Sequence, residues 1–228
     1  MARKRESHHQ LELPIKLRGG RRRGAGRKQK AERRQVSHRA RRAVSKHCPL
    51  HVTVRLKKAL PSLRCAGARK ALNAAFKAGC EKFGFRLVHF SIQSNHLHLL
   101  VEADNKRALS RGMQGLLIRM ARKLNGLWRR KGRVFSDRYH SRILRTPREV
   151  RTALVYVLQN ARKHGVKLSR SIDTFSSGLW FDGWRKGKRI LESLHQAAPV
   201  AGSRSWLLGT GWRRHGLSDP QECPRIPC

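Results

Sequence analysis

Ser94-Asn95-His96-Leu97-His98-Leu99-Leu100-Val101-Glu102 decides how this chain is read. The stretch is apolar and β-favouring, and in a strand residues two apart point to the same face. His96 and His98 therefore project side by side, while Leu97, Leu99 and Val101 turn the other way, into a core. Two imidazoles so placed suit one divalent metal, yet a His-x-His pair on a strand is as often a plain surface pair. The flanking sequence has to decide between them.

Immediately upstream, Phe85-Arg86-Leu87-Val88-His89-Phe90-Ser91-Ile92 reads as a second strand. The Gln93-Ser94-Asn95 turn returns it into the histidine strand as an antiparallel hairpin. Further back, His51–Leu56 alternates apolar and polar residues and makes a short strand. A helix is expected over 68–82, with Ala71, Leu72, Ala75, Phe76 and Gly79 as its apolar stripe. Downstream, 106–130 is a helix with Leu109, Met113, Leu116, Met120, Leu124 and Leu127 on one side. Arg107, Arg111, Arg122 and Arg129 gather opposite, and no carboxylate lies between Asn105 and Ser136, so this stripe reads as phosphate-facing. A long strand over 133–144 follows. Thr146-Pro147-Arg148-Glu149 then announces a helix to about His164: Thr as N-cap, Pro at the first helical position, Glu completing a capping box. Its buried side is Val150, Leu154, Val157, Leu158 and Ala161, and Tyr156 and Asn160, four apart, share a face.

The chain has 228 residues, with 53 Lys+Arg against 13 Asp+Glu, a formal net charge of +40. No globular fold needs such a charge, and self-repulsion opposes compactness. A polyanion partner resolves it, and nucleic acid fits best. A membrane surface fits less well, since the basic residues are spread along the chain rather than along one amphipathic segment. No apolar run is long enough to span a bilayer. Residues 1–46 form a basic arm with 17 Lys+Arg and three Glu. It includes Arg21, Arg22, Arg23, Arg27 and Lys28 and reads as an unordered, DNA-contacting extension. The five cysteines have no C-x-x-C spacing, so neither a disulfide framework nor a zinc ribbon is indicated, and a reducing cytoplasm is expected. Residues 169–228 are rich in Trp and Arg. They are expected to stack on unpaired bases or to pack as a small appended core, with part of the segment disordered.

The His96-Leu97-His98 strand, followed some sixty residues later by Tyr156-Val157-Leu158-Gln159-Asn160 on a helix, resembles the HUH single-tyrosine transposases. Within these it is most similar to the REP-associated tyrosine transposase branch, over residues 47–168. The resemblance implies an α+β fold, a ferredoxin-like or RRM-like antiparallel sheet backed by helices. It implies a divalent metal, Mg²⁺ or Mn²⁺, on His96, His98 and Asn160, with Gln159 as the alternative third ligand, and Tyr156 as nucleophile. The implied activity is cleavage and transfer of single-stranded, hairpin-associated DNA through a 5′-phosphotyrosine, in a bacterial, nucleoid-associated protein. The chain is compatible with a monomer and with a homodimer. Two other readings are a non-catalytic RRM-like nucleic-acid binder and a domesticated hairpin-DNA binder. No general base stands out; Lys163 and His164 read as surface residues.

Overall fold

Alternation along the histidine strand sets up the architecture. In the computed structural model, which describes residues 42–163, 165–166, 168, 171–185 and 197–224, the order is β1 (Leu50–Arg55), α1 (Ala66–Lys77), β2 (Glu81–Lys82), β3 (Phe85–Ile92), β4 (His96–Ala103), α2 (Lys106–Leu127), β5 (His140–Ile143), α3 (Pro147–Leu158) and α4 (Asn160–Lys163). Short helical turns occur at Ser177–Trp180, Trp206–Gly209 and Gly211–His215. The five strands pair antiparallel in the order β2-β3-β4-β1-β5. Leaving aside the two-residue β2, this is the β-α-β-β-α-β order of a ferredoxin-like sheet. The expected α+β class is the one observed.

The sheet is covered on both faces. Leu97, Leu99 and Val101 of β4 join Val52 and Val54 of β1 in a core with Leu72 and Phe76 of α1 and Met113, Leu116 and Met120 of α2. Leu100 points the opposite way, into a second core with Val150, Leu154, Val157 and Leu158 of α3. β3 serves both cores through a bulge. Its register shifts between Leu87, opposite Val101, and His89, opposite Leu100. The extra residue lets Phe85, Leu87, Phe90 and Ile92 all reach the α1/α2 core, while Ser91 comes opposite His98.

Four sequence expectations change. The first helix stops at Lys77, and Glu81–Lys82 becomes an edge strand. Phe83 and Gly84, with φ of 52° and 73°, turn the chain tightly into β3, which a continuing helix cannot do. The expected 133–144 strand is ladder-paired only over His140–Ile143. Ser136 N–H bonds to Arg55 O at 3.0 Å, yet His140 pairs with Thr53, so four steps face two and the intervening residues bulge. Tyr139 sits in that bulge, buried in the α1/α2 core. The second helix ends at Leu127, which is exposed; Arg129 lies beyond it at φ 47°. Finally, the Tyr156 helix ends at Leu158, with Gln159 at φ −110° starting a separate turn, α4. Its N-terminus is as expected: Thr146 and Glu149 make both capping-box hydrogen bonds.

Residues 171–185 and 197–224 close over the α3 face. Trp184 and Trp212 are buried there beside Phe181, so these rings pack rather than stack on bases. Arg64 grips the buried Asp173 through two hydrogen bonds of 2.9 Å and also donates to Ile92 O at the end of β3. Among the described residues no helix is long and apolar enough to cross a membrane, and Cys48, Cys65, Cys80 and Cys223 are free thiols.

Candidate active site

The α3-facing side of β1 and β4 carries a polar patch set into an apolar surround. Thr53 is paired with His98 and Arg55 with His96, which also brings His51 onto that face beside Leu100. His96 Nδ1–H donates to Asn95 Oδ1 at 2.8 Å, which leaves the lone pair of a neutral His96 on Nε2. That atom is 3.1 Å from His98 Nε2. His98 Nδ1 is 3.0 Å from His51 Nε2 and 3.3 Å from Thr53 Oγ1. In the tautomer with Nδ1–H donating to His51, the His98 lone pair turns toward His96; in the other, His98 Nδ1 accepts from His51 and Thr53. Burial, then the charges of His140 and Arg142, lower the His51 pKa to about 4. His51 is therefore neutral near pH 7 and able to accept.

The two Nε2 atoms stand 3.1 Å apart, the spacing of two donors to one ion. Nitrogens each about 2.1 Å from one ion and at right angles about it lie about 3.0 Å apart. The pair fits a divalent metal on that measure. Among the described residues no group of three His, Cys, Asp or Glu is arranged to hold a metal, so a third protein donor from among them would be of another type. Asn160 has a donor of that type: it is fully buried, and neither its Oδ1 nor its Nδ2 has a hydrogen-bond partner among the described residues. An orphaned buried amide is costly, and a ligand for its oxygen removes much of that cost. Gln159 is already engaged, its Nε2 donating to Pro220 O at 2.8 Å and Asp219 O at 3.3 Å.

Tyr156, half-buried on α3, lies edge-on to both imidazoles. Its ring centroid is 5.1 Å from that of His98 and 5.6 Å from that of His51. Lys163 Nζ sits 4.7 Å from the same ring, so the residue read as plain surface is beside the phenol. His51 was not singled out from the sequence. Its signal was there: His51, Thr53 and Arg55 alternate on β1, and pairing β1 with the histidine strand puts all three on the histidine face. The four predicted arginines do not join this site. Arg107, Arg111 and Arg122 are exposed on α2, which packs against the other face of the sheet. The arm residues Arg21, Arg22, Arg23, Arg27 and Lys28 fall outside the described residues.

Among solved structures the fold is similar to that of a REP-associated tyrosine transposase bound to a REP hairpin. The TM-score is 0.50 at 17% identity, over 62% of this chain and 83% of that one. A Deinococcus radiodurans protein whose transposase assignment is itself provisional matches more loosely, with a TM-score of 0.36 at 16% identity over 41% of this chain and 76% of that one. No curated protein matches the sequence. The model of the IS200-like transposase family matches residues 44–160, more than half of the 228 and the whole span from β1 to Asn160. The chain belongs to the IS200-like transposase family.

Proposed function

We propose that this protein cuts and transfers single-stranded DNA next to a hairpin, as a single-tyrosine transposase of the REP-associated kind, with Tyr156 as nucleophile. One observation carries the reading: His96 and His98 Nε2 converge to 3.1 Å within a site edged by the Tyr156 ring. An RRM-like binding module would share the sheet but has no use for a phenol seated against paired imidazoles. His96, His98 and Asn160 would hold Mg²⁺ or Mn²⁺, and because all three donors are neutral the ion would keep its full charge to polarise a phosphodiester oxygen.

The chain's own groups have distinct parts. The Tyr156 oxygen bonds to phosphorus and the 3′-oxygen leaves as a free 3′-OH, so the ester energy stays in the Tyr–DNA link for rejoining. Lys163 supplies positive charge over the ring of that tyrosine. His51 and Thr53 fix the orientation and tautomer of His98, as hydrogen-bond partners of ligating histidines do. The basic arm and the exposed Arg107, Arg111, Arg122 and Arg129 give most of the affinity for the DNA backbone. The DNA substrate and the reducing-compartment cysteine pattern together fit a cytoplasmic, nucleoid-associated protein.

The test compares the chain's two tyrosines. Labelled single-stranded DNA carrying a hairpin is incubated with Mn²⁺ and run on a denaturing gel. Wild type should yield a covalent protein–DNA adduct, Tyr156→Phe none. Tyr139→Phe, altered in the α1/α2 core on the other side of the sheet, should keep it. An adduct surviving in Tyr156→Phe would refute the assignment, and cleavage with no adduct in any variant would point to water as the nucleophile.

A further inference from the structure

Two exposed aromatic rings stand out among the described residues: Phe83, 75% exposed, and Trp206, 51% exposed. They flank the same end of the sheet, away from the histidines. Trp206 lines a cleft of about 490 Å³ with Lys46, Arg86, Asp104 and Arg204. Phe83 lines an adjoining hollow that shares Asp104 with it and adds Arg107 and Arg111. Phe83 also carries a backbone cost. Its φ of 52° is left-handed, a conformation that Gly, Asn or Asp adopts readily and that a bulky side chain resists. A residue that is strained and also leaves an aromatic ring in water gains nothing for the fold from either feature.

The surroundings say what the rings are for. Arg111 lies over the Phe83 ring at 5.5 Å and Arg214 over the Trp206 ring at 4.8 Å. Of the carboxylates in the larger cleft, Glu81 is held by Arg86 and Arg204. Glu102 accepts from Arg204 N, Ser205 N and Ser205 Oγ. Aromatic rings set among arginines are the means by which proteins hold unpaired bases along a phosphate backbone. We propose that Phe83 and Trp206 form a second DNA subsite, one that stacks unpaired bases of the strand whose phosphodiester is cut at Tyr156. This deepens the proposed function and rests on it. The subsite lies at Ala103, the far end of β4 from His96. Seven residue steps (96 to 103) at about 3.3 Å make about 23 Å, the reach of about seven stacked nucleotides.

The test uses the full chain, with chelator present so that nothing is cut, and two probes of one duplex. One probe is a blunt hairpin; the other carries an unpaired flank of about ten nucleotides, longer than that reach. Phe83→Asn and Trp206→Ala should each weaken binding of the flanked probe roughly tenfold, leave the blunt probe unchanged, and act more than additively only if one base spans both rings. Phe83→Trp should bind as wild type does. Phe83→Asn should melt no lower than wild type, because Asn is at ease at this φ; a structural role for the ring would lower its melting temperature instead. Unchanged affinity for the flanked probe in both variants overturns the subsite. Equal losses on both probes overturn the unpaired-base reading. A shift of Phe83→Asn to a smaller oligomer with unchanged DNA affinity would give the surface to a second copy of the chain. Wild type binding neither probe would overturn this subsite and the DNA-cutting role together, whereas an adduct that persists in Tyr156→Phe overturns only the choice of Tyr156 as nucleophile.

Discussion

His51 matters because it is neutral. Burial and the charges of His140 and Arg142 hold its pKa near 4, so its Nε2 is able to accept from His98 Nδ1, the tautomer in which His98 Nε2 would bind a metal. His51→Ala should therefore weaken Mn²⁺ binding to the DNA-free protein about 10- to 100-fold, read by electron paramagnetic resonance titration. His51→Gln, which keeps an acceptor, should recover part of the loss; equal affinities in all three proteins would remove His51 from the site. His89 makes a prediction about stability. Burial lowers its pKa to about 4, against a smaller opposing pull from Asp182, and its Nδ1 meets Ser177 Oγ at 3.2 Å. Unfolded, the same imidazole titrates near 6.5. Between those values only the unfolded chain takes up the proton, so stability is level above about 6.5 and falls as pH drops toward 4, by about 3 kcal/mol in full. In urea denaturation across that range, His89→Gln should flatten this component, and a slope identical to wild type would contradict it. The residue-level lesson is one of range. His96 and His98 could be paired because they stand two positions apart on one strand, whereas Tyr156 and Asn160, four apart, fall on either side of the break at Gln159. His51 is 47 positions from His98 and becomes its neighbour only through strand pairing.

Among the elements, α3 was the most legible and the β5 region the least. The capping box of α3 is a local device, complete within Thr146–Glu149, and it forms as the sequence predicts. The shortening of β5, the bulge in β3 and the turn at Phe83 depend on what lies opposite in the sheet, which alternation alone does not encode. The break at Gln159 likewise depends on a distant segment, since its side chain is drawn to the Asp219 and Pro220 carbonyls. The same long-range logic holds the C-terminal segment against the sheet. Asp173 is 1% exposed and Arg64 15%, and Arg64 also binds the Ile92 carbonyl at 2.9 Å. Asp173→Ala would leave that guanidinium largely buried and unpaired, at a cost of about 3–5 kcal/mol. The double variant Arg64→Leu, Asp173→Ala should regain much of the loss, because it removes the stranded charge too. Chemical denaturation decides: a single variant within about 0.5 kcal/mol of wild type would mean the pair holds nothing in place.

At the scale of the whole molecule the dominant fact is charge. A net +40 on 228 residues works against a compact chain, so it is offset in use by a polyanion. Arg55, Arg142 and Lys163 lie near the histidines, but other positive groups lie elsewhere. Arg107, Arg111 and Arg122 lie exposed on the α2 side of the sheet, and residues 1–46 contribute 17 basic against three acidic residues. DNA anchored at Tyr156 and also touching α2 would have to pass the edge or end of the sheet. Short of that, the α2 arginines contribute only a long-range field, screened beyond about 8–10 Å at ordinary salt. The two cases differ in the salt dependence of binding. Each phosphate that an arginine truly neutralises adds about 0.9 to the slope of log K against log salt for duplex DNA, and about 0.7 for a single strand. Replacing Arg21, Arg22, Arg23, Arg27 and Lys28 with Ala in the full chain should make the slope shallower by up to about 4 and weaken binding alike on every sequence tried. Replacing Arg107, Arg111, Arg122 and Arg129 should do the same if the strand wraps past α2, and should shift affinity with little change in slope if they act only through the field. The measurement is a salt series on one hairpin probe for wild type and both variants. A slope identical in all three would mean that neither group touches phosphate, and that binding is set by the groups around Tyr156 and the sheet's far end.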